Sequence, residues 1–181
     1  MCPRQSSVAD RHPERQAREH PAVAGMLRDS HAQPGTPLGT ATEQPFRILV
    51  ICTGNRARSQ MAHGWLEHLS GDRVTVASAG TVPKGVHPIA IHVMAEVGID
   101  ISAHTSDPVE RYVDQDFDLV VTVCDTAREQ CPLFPGAKRL LHHAFEDPDY
   151  PELDEDAFTD VFRRIRDEIR EFSRDLLLDL R

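Results

Sequence analysis

The chain has 181 residues, 40% of them hydrophobic, and a formal net charge of −9. That length can bury the core of one domain, and no run approaches the roughly 18 consecutive apolar residues a membrane helix needs. The negative balance argues against nucleic acid and anionic membranes as partners, so an anionic ligand would need a local positive site working against the global field.

No apolar stretch follows the first basic residues, and five Asp/Glu stand among five Arg in residues 1–45. This resembles neither a secretory signal nor a transit peptide, so the expected location is the cytoplasm. Four cysteines are too few for a disulfide scaffold. In a reducing compartment they serve packing, metal binding or catalysis. Residues 1–45 read as a disordered N-terminal extension. They hold six of the 13 prolines, few large apolar residues and no periodic pattern, so they cannot offset the entropy of ordering. Cys2 lies there and is assigned no role. Residues 46–181 form the expected domain and carry the whole net charge.

Within that domain, Ile48-Leu49-Val50-Ile51-Cys52 is a continuous apolar run, the pattern of a strand buried on both faces. Residues 57–69 set Met61, Trp65 and Leu69 at helical spacing, with Ser70-Gly71 as a stop. Residues 74–79 predict a second strand. Residues 88–97 predict a helix with Ile89, Val93, Met94 and Val97 on one face, ended by Gly98. Strands follow at 117–124 and, shorter, at 139–145. Residues 154–178 carry Phe158, Val161, Phe162, Ile165, Ile169, Phe172 and Leu176, a long amphipathic helix. On it, Arg163, Arg164 and Arg166 read as a solvated face. Strands alternating with helices predict an α/β fold with a parallel sheet.

Chemistry concentrates where the first strand meets the first helix. Cys52-Thr53-Gly54-Asn55-Arg56-Ala57-Arg58 spaces a cysteine and an arginine by five residues. Gly54 and Asn55 tolerate left-handed backbone. A loop of this kind turns successive N–H groups inward as an anion nest, and the helix N-terminus adds partial positive charge. Arg58 would grip two oxygens of a tetrahedral anion, and Ser59 would donate a hydrogen bond to the Cys52 sulfur. Thr53 through Ser59 are therefore the candidate oxyanion-binding residues, with Cys52 as nucleophile.

Asp147-Pro148 follows the last predicted strand. Alone it is a turn signal. Loops after parallel strands gather at the carboxyl edge of the sheet, however, where Cys52 also lies, and an Asp there can protonate a leaving oxygen. Cys124 ends the third predicted strand at the same edge. Cys131 follows across the polar segment 125–130, one or two turns of helix. Read alone, this cysteine pair fits buried packing as well as redox work. A metal pair with His142 or His143 has the wrong spacing for common zinc motifs.

The stretch CTGNRARSQMAHGW from Cys52 resembles the active-site loop of the low-molecular-weight tyrosine phosphatase superfamily, most of all its thioredoxin-coupled arsenate reductases. SAGT at Ser78, KGVHP at Lys84, HTSD at His104, VTVCDTAREQCP at Val121 and FEDP at Phe145 extend the resemblance, in order, from residue 46 to about 170. It implies a four-stranded parallel sheet in the order 2-1-3-4 flanked by helices, which makes the Cys52 and Cys124 strands neighbours. It also implies a relay in the reduction of arsenate to arsenite. Cys52 attacks arsenic, helped by Arg58 and by Asp147 as the acid. Cys124 attacks the Cys52 sulfur and Cys131 then attacks Cys124, leaving a Cys124–Cys131 disulfide for thioredoxin, or for a glutaredoxin or mycothiol system. A two-electron reduction without a cofactor needs two thiols, and a third carries the oxidation outward. Bridging Cys124 and Cys131 across a helical segment would require that segment to loop out.

Three positions depart from the superfamily pattern. Ala57 stands where many relatives carry a cysteine, and Arg56 replaces a small residue. In potassium-binding members, Asn55, Ser78, Thr105 and Asp107 match the expected ligands, but His63 replaces a glutamate, which weakens the case for that hard cation. The remaining histidines read as surface or core residues. A monomer is expected. Two other functions compete with arsenate reduction. One is a tyrosine or small-molecule phosphatase using only Cys52, Arg58 and Asp147, with Tyr150 lining a phenyl pocket. The other is a non-enzymatic thiol sensor or arsenite-binding protein.

Overall fold

Strand β1, Phe46–Cys52, runs through the middle of the sheet, and its last five residues are buried. β2, Val74–Gly80, pairs with it in parallel on one side, and β3, Leu119–Thr122, on the other. β4, Leu140–His142, completes a four-stranded sheet in the order β2-β1-β3-β4 beyond β3. This is the architecture expected from the sequence. The computed structural model describes residues 44–130, 134–150 and 152–180. Residues 1–43 of the expected extension, with Cys2, and also Cys131 lie outside the described residues.

β-Branched and leucine side chains make β1 and β3 apolar on both faces, as strands covered on both sides must be. Ile48, Leu49, Ile51, Leu119 and Val121 are almost wholly shielded from solvent. Among the described residues, four α-helices accompany the sheet: α1, Arg58–Ser70, α2, Pro88–Glu96, α3, Asp125–Gln130, and α4, Glu155–Asp179. α1, α2 and α4 pack on one another, and α3 lies against β1 and β3. α4 starts cleanly because Asp154 caps it, accepting a hydrogen bond from the Ala157 N–H at 2.9 Å. Phe162, Ile165 and Ile169 form its buried stripe.

The third and fourth strands are shorter than the apolar runs suggested. β3 stops at Thr122, yet the Val123 N–H still donates to Ile51 O at 2.8 Å before the chain leaves the sheet. Phe117 makes only an isolated bridge to Ala137. The arginine face of α4 also differs from expectation. Arg163 and Arg164 pair with Glu96 and Glu146 at the surface. Arg166 is 8% exposed and donates to Val93 O and Glu96, so it fastens α4 to α2.

The close approach that shapes the site occurs at Gly80. It ends β2 in register with Cys52. A Cβ on Gly80 would stand 2.7 Å from the Asn55 nitrogen and 2.8 Å from Thr53 O. Only a residue without a side chain lets the 53–55 loop lie against the end of β2.

Candidate active site

Each of the elements that ends at the carboxyl edge of the sheet contributes to one cleft of about 480 Å³. Cys52 comes from the end of β1, Cys124 from just beyond β3, and Asp147 from the segment after β4. β1 and β3 are neighbours with Ile51 beside Thr122, so the first two open onto the same cleft just beyond that pair.

The Cys52-to-Arg58 loop is built from its backbone outward. The carbonyls of Thr53, Gly54 and Arg56 accept hydrogen bonds from the Val82, Lys84 and His87 N–H groups at 2.8, 2.9 and 2.8 Å. A trans peptide directs its N–H opposite to its C=O, so the N–H groups of Gly54, Asn55 and Ala57 turn inward. α1 begins at once, with no side chain capping it and no acidic residue in its first turn. Its N-terminal donors are left for an anion. Asn55 takes the left-handed conformation (φ 42°), while Gly54 does not, so the expected left-handed backbone falls on Asn55 alone.

Asn55 and Ser59 are wholly buried and stand behind the loop instead of lining it. Asn55 Nδ2 donates to Ser59 Oγ at 2.9 Å, which leaves the Ser59 hydroxyl proton for the Cys52 sulfur 3.0 Å away. Asn55 Oδ1 accepts from the Asp107 N–H at 2.9 Å. Gln60 Nε2 holds Asn55 O and Thr105 O at 3.1 and 2.9 Å. Thr53, Gly54, Arg56, Ala57 and Arg58 face the cleft.

Arg58 and Asp147 form an ion pair at 2.6 Å, and Arg58 also donates to Phe145 O. Arg56 lies 3.6 Å from Asp149. The cleft thus has a basic wall of Arg56, Arg58 and Lys84 facing an acidic rim of Glu146, Asp147 and Asp149. Cys124 is buried with its sulfur 3.3 Å from Thr53 Oγ1, and Cys52 and Cys124 are both free thiols. The expected route to Cys131 leaves Cys124 through α3, whose Arg128 N–H donates back to Cys124 O at 3.1 Å. Tyr150, the residue expected to line a phenyl pocket, is not among the residues lining the cleft and donates its hydroxyl to Glu146 on the acidic rim at 2.7 Å. His142 is held between Thr122 and Asp125, and His143 stacks on Phe172. Among the described residues, neither completes a metal set with Cys124.

Sequence reasoning assigned no role to Lys84 or His87. His87 caps α2 through Nδ1, which accepts from the Ile89 N–H at 3.1 Å, and packs at 4.8 Å on Phe162. Its place before Pro88 at the first helical turn was the available signal. Burial, reinforced by Arg56, keeps its proton affinity below the ordinary imidazole value, while Asp149 pulls weakly the other way.

The residues matched to a potassium site are near one another but suit that ion poorly. Thr105 Oγ1 and Tyr112 both donate to Asp107 Oδ2, and Arg111 pairs with Oδ1. Ser78 Oγ lies 3.2 Å from His63 Nδ1, and Asn55 Oδ1 is committed to Asp107. His63 puts a ring nitrogen where a hard cation would prefer an oxygen ligand.

The profile described as low molecular weight phosphotyrosine protein phosphatase matches residues 47–181. An arsenate reductase of Halalkalibacterium halodurans is 47% identical over 122 residues, 67% of this chain and 88% of the relative. A solved arsenate reductase in its oxidized state aligns with a TM-score of 0.65 and 32% identity, over 75% of this chain and 98% of that one. A thioredoxin-dependent arsenate reductase of Corynebacterium glutamicum aligns at 0.55 and 29%, over 78% of this chain and 66% of that one. With the loop, the Arg58–Asp147 pair and the strand order all in place, the chain belongs to the low molecular weight phosphotyrosine protein phosphatase family, among its arsenate reductases.

Proposed function

We propose that this chain reduces arsenate to arsenite, with Cys52 as nucleophile and Cys124 as the thiol that resolves its adduct. The observation that carries the reading is the second free sulfur at the rim of the anion loop, within hydrogen-bonding distance of Thr53. A phosphatase has no use for it.

Arsenate enters between the inward N–H groups and Arg58, and in doing so competes with Asp147 for the guanidinium. The Cys52 thiolate forms an S–As bond, and the departing oxygen takes a proton from Asp147. The Cys124 thiolate then attacks Cys52 Sγ. The S–As bond breaks with its electron pair going to arsenic, so As(V) becomes As(III) and a Cys52–Cys124 disulfide forms. The Cys131 thiolate attacks Cys124 Sγ and returns Cys52 as a thiolate. The Cys124–Cys131 disulfide passes to an external dithiol, for which we propose thioredoxin. The thioredoxin-dependent relative supports that choice.

Arsenate-dependent NADPH oxidation with thioredoxin and its reductase, run beside para-nitrophenyl phosphate hydrolysis, tests the reading. Coupled oxidation should be robust and ester hydrolysis weak. Robust hydrolysis with no arsenate-dependent oxidation would establish the phosphatase reading, which the Cys52, Arg58 and Asp147 geometry also serves.

A further inference from the structure

We propose that His63, Glu67 and His104 bind one divalent transition-metal ion of the zinc class, at a site separate from the Cys52 cleft. One donor atom from each of the three lies within 4.8 Å of the others. They line a second hollow of about 350 Å³ with Ser78, Thr105 and Tyr112. Two imidazoles and a carboxylate, with a fourth position left to water, make a zinc donor set, whereas magnesium and calcium prefer oxygens.

The fold prepares this convergence. His63 and Glu67 are four residues apart on α1 and therefore share a face, with His63 Nε2 3.2 Å from the Glu67 carboxylate. Gly64 lets the segment before His104 close on that helix, since a Cβ there would stand 2.8 Å from the Ile101 γ2 methyl. The His63 and His104 rings come to rest 4.3 Å apart, tilted by 32°.

Proton positions favour the metal as well. Gln60 Nε2 donates to two backbone carbonyls, which fixes its Oε1 as an acceptor. His104 Nδ1, 2.9 Å from that oxygen, must then carry the N–H, and its Nε2 lone pair is bare. A metal-binding histidine uses this arrangement, its far nitrogen donating to a fixed oxygen. Ser78 Oγ accepts as readily as it donates, so His63 can hold its proton on Nδ1 and give Nε2 to the ion. Ligands at about 2.0–2.1 Å from zinc stand roughly 3.4 Å apart, so each side chain closes on the ion by about 1 Å or less. Through Gln60 the bound ion would also brace Asn55, the buried support of the Cys52 loop.

The test is a Co²⁺ titration of the reduced full-length chain, followed by displacement with Zn²⁺. One equivalent should bind, with visible d–d bands and no thiolate-to-metal charge transfer. His104→Gln and Glu67→Gln should each weaken binding about tenfold or more, while serine at Cys52, Cys124 and Cys131 leaves it unchanged. A thiolate-dominated spectrum, no saturable binding, or an affinity unmoved by both substitutions in folded protein would overturn the proposal. If a substitution unfolds the chain, histidine nitrogen resonances of the unaltered protein decide. Zn²⁺ should shift Nε2 of two of the ten histidines, assigned to His63 and His104, and shifts at other histidines alone would sink the site. None of these readouts depends on arsenate turnover.

Discussion

Arg58 and Asp147 hold each other at 2.6 Å across the mouth of the cleft, although 89 residues separate them in the chain. Asp147 is 62% exposed and Arg58 only 11%, so the carboxylate is the partner free to swing away when an oxyanion takes the guanidinium. Arg58→Lys keeps the charge but loses the planar fork. Its kcat/KM for arsenate should fall by roughly 10²-fold or more, the scale of losing one preorganised donor at a reacting centre. Steady-state rates with the fold verified by circular dichroism will show it, and an unchanged rate would mean the loop does not grip the anion.

The order of the thiols is testable one cysteine at a time. Cys52→Ser should abolish arsenate reduction and ester hydrolysis together. Cys124→Ser should stop arsenite release and spare hydrolysis, since water resolves a phosphocysteine. Cys131→Ser should complete about one turnover and stop with Cys52 joined to Cys124, which mass spectrometry after thiol blocking will reveal. Full multiple turnover in both Cys124→Ser and Cys131→Ser would end the relay reading.

Oxidation should unwind α3. A helix of the length between Cys124 and Cys131 rises roughly 10 Å, whereas disulfide Cα atoms lie within about 7 Å. Hydrogen exchange on oxidised Cys2→Ser/Cys52→Ser, in which only Cys124 and Cys131 remain, should show lost protection at residues 125–130. Retained protection there, with the disulfide confirmed, would contradict this account.

Acid should loosen the α2 end of the cleft. Burial holds His87 and His104 below the ordinary value of 6.5. The unfolded chain therefore binds more protons near that pH, and stability is lost as pH falls from about 6.5 through the lower folded values. His87→Asn keeps a cap acceptor without a titrating ring. Its thermal midpoint should drop less than that of the unaltered chain between pH 7.5 and pH 5.5, and an equal drop would remove His87 from the explanation.

Deleting residues 1–43 should leave melting temperature and activity close to those of the full chain, because the family match begins at residue 47. A collapse of the thermal transition on truncation would refute a self-sufficient domain at 46–181.

Much of this site was readable in order along the chain. The apolar run into Cys52 and the arginine beyond the loop are local patterns, and Cys124 was placed at the right edge of the sheet although β3 stops at Thr122, two residues before it. The strand order came with the resemblance, not with periodicity. What escaped depends on contacts between distant segments. Arg166 looked like a solvated residue because its spacing carries no sign of the Val93 carbonyl 73 residues away. His63 and His104 looked unrelated because 41 positions and a glycine-permitted contact lie between them. Asn55 and Ser59 were read as oxyanion-binding residues, but their side chains are buried behind the loop, where Asp107 and Gln60 hold Asn55.

Gly80 gives the anion loop a back wall as well as a front. Its own residue touches no substrate in any step above, yet one added methyl would press on the Asn55 nitrogen and the Thr53 carbonyl oxygen. Sensitivity to mutation at Gly80 therefore reflects mechanical support of the loop and not contact with the substrate. A survey that scored only residues lining the cleft would miss Gly80, because the loop is pressed into shape from behind.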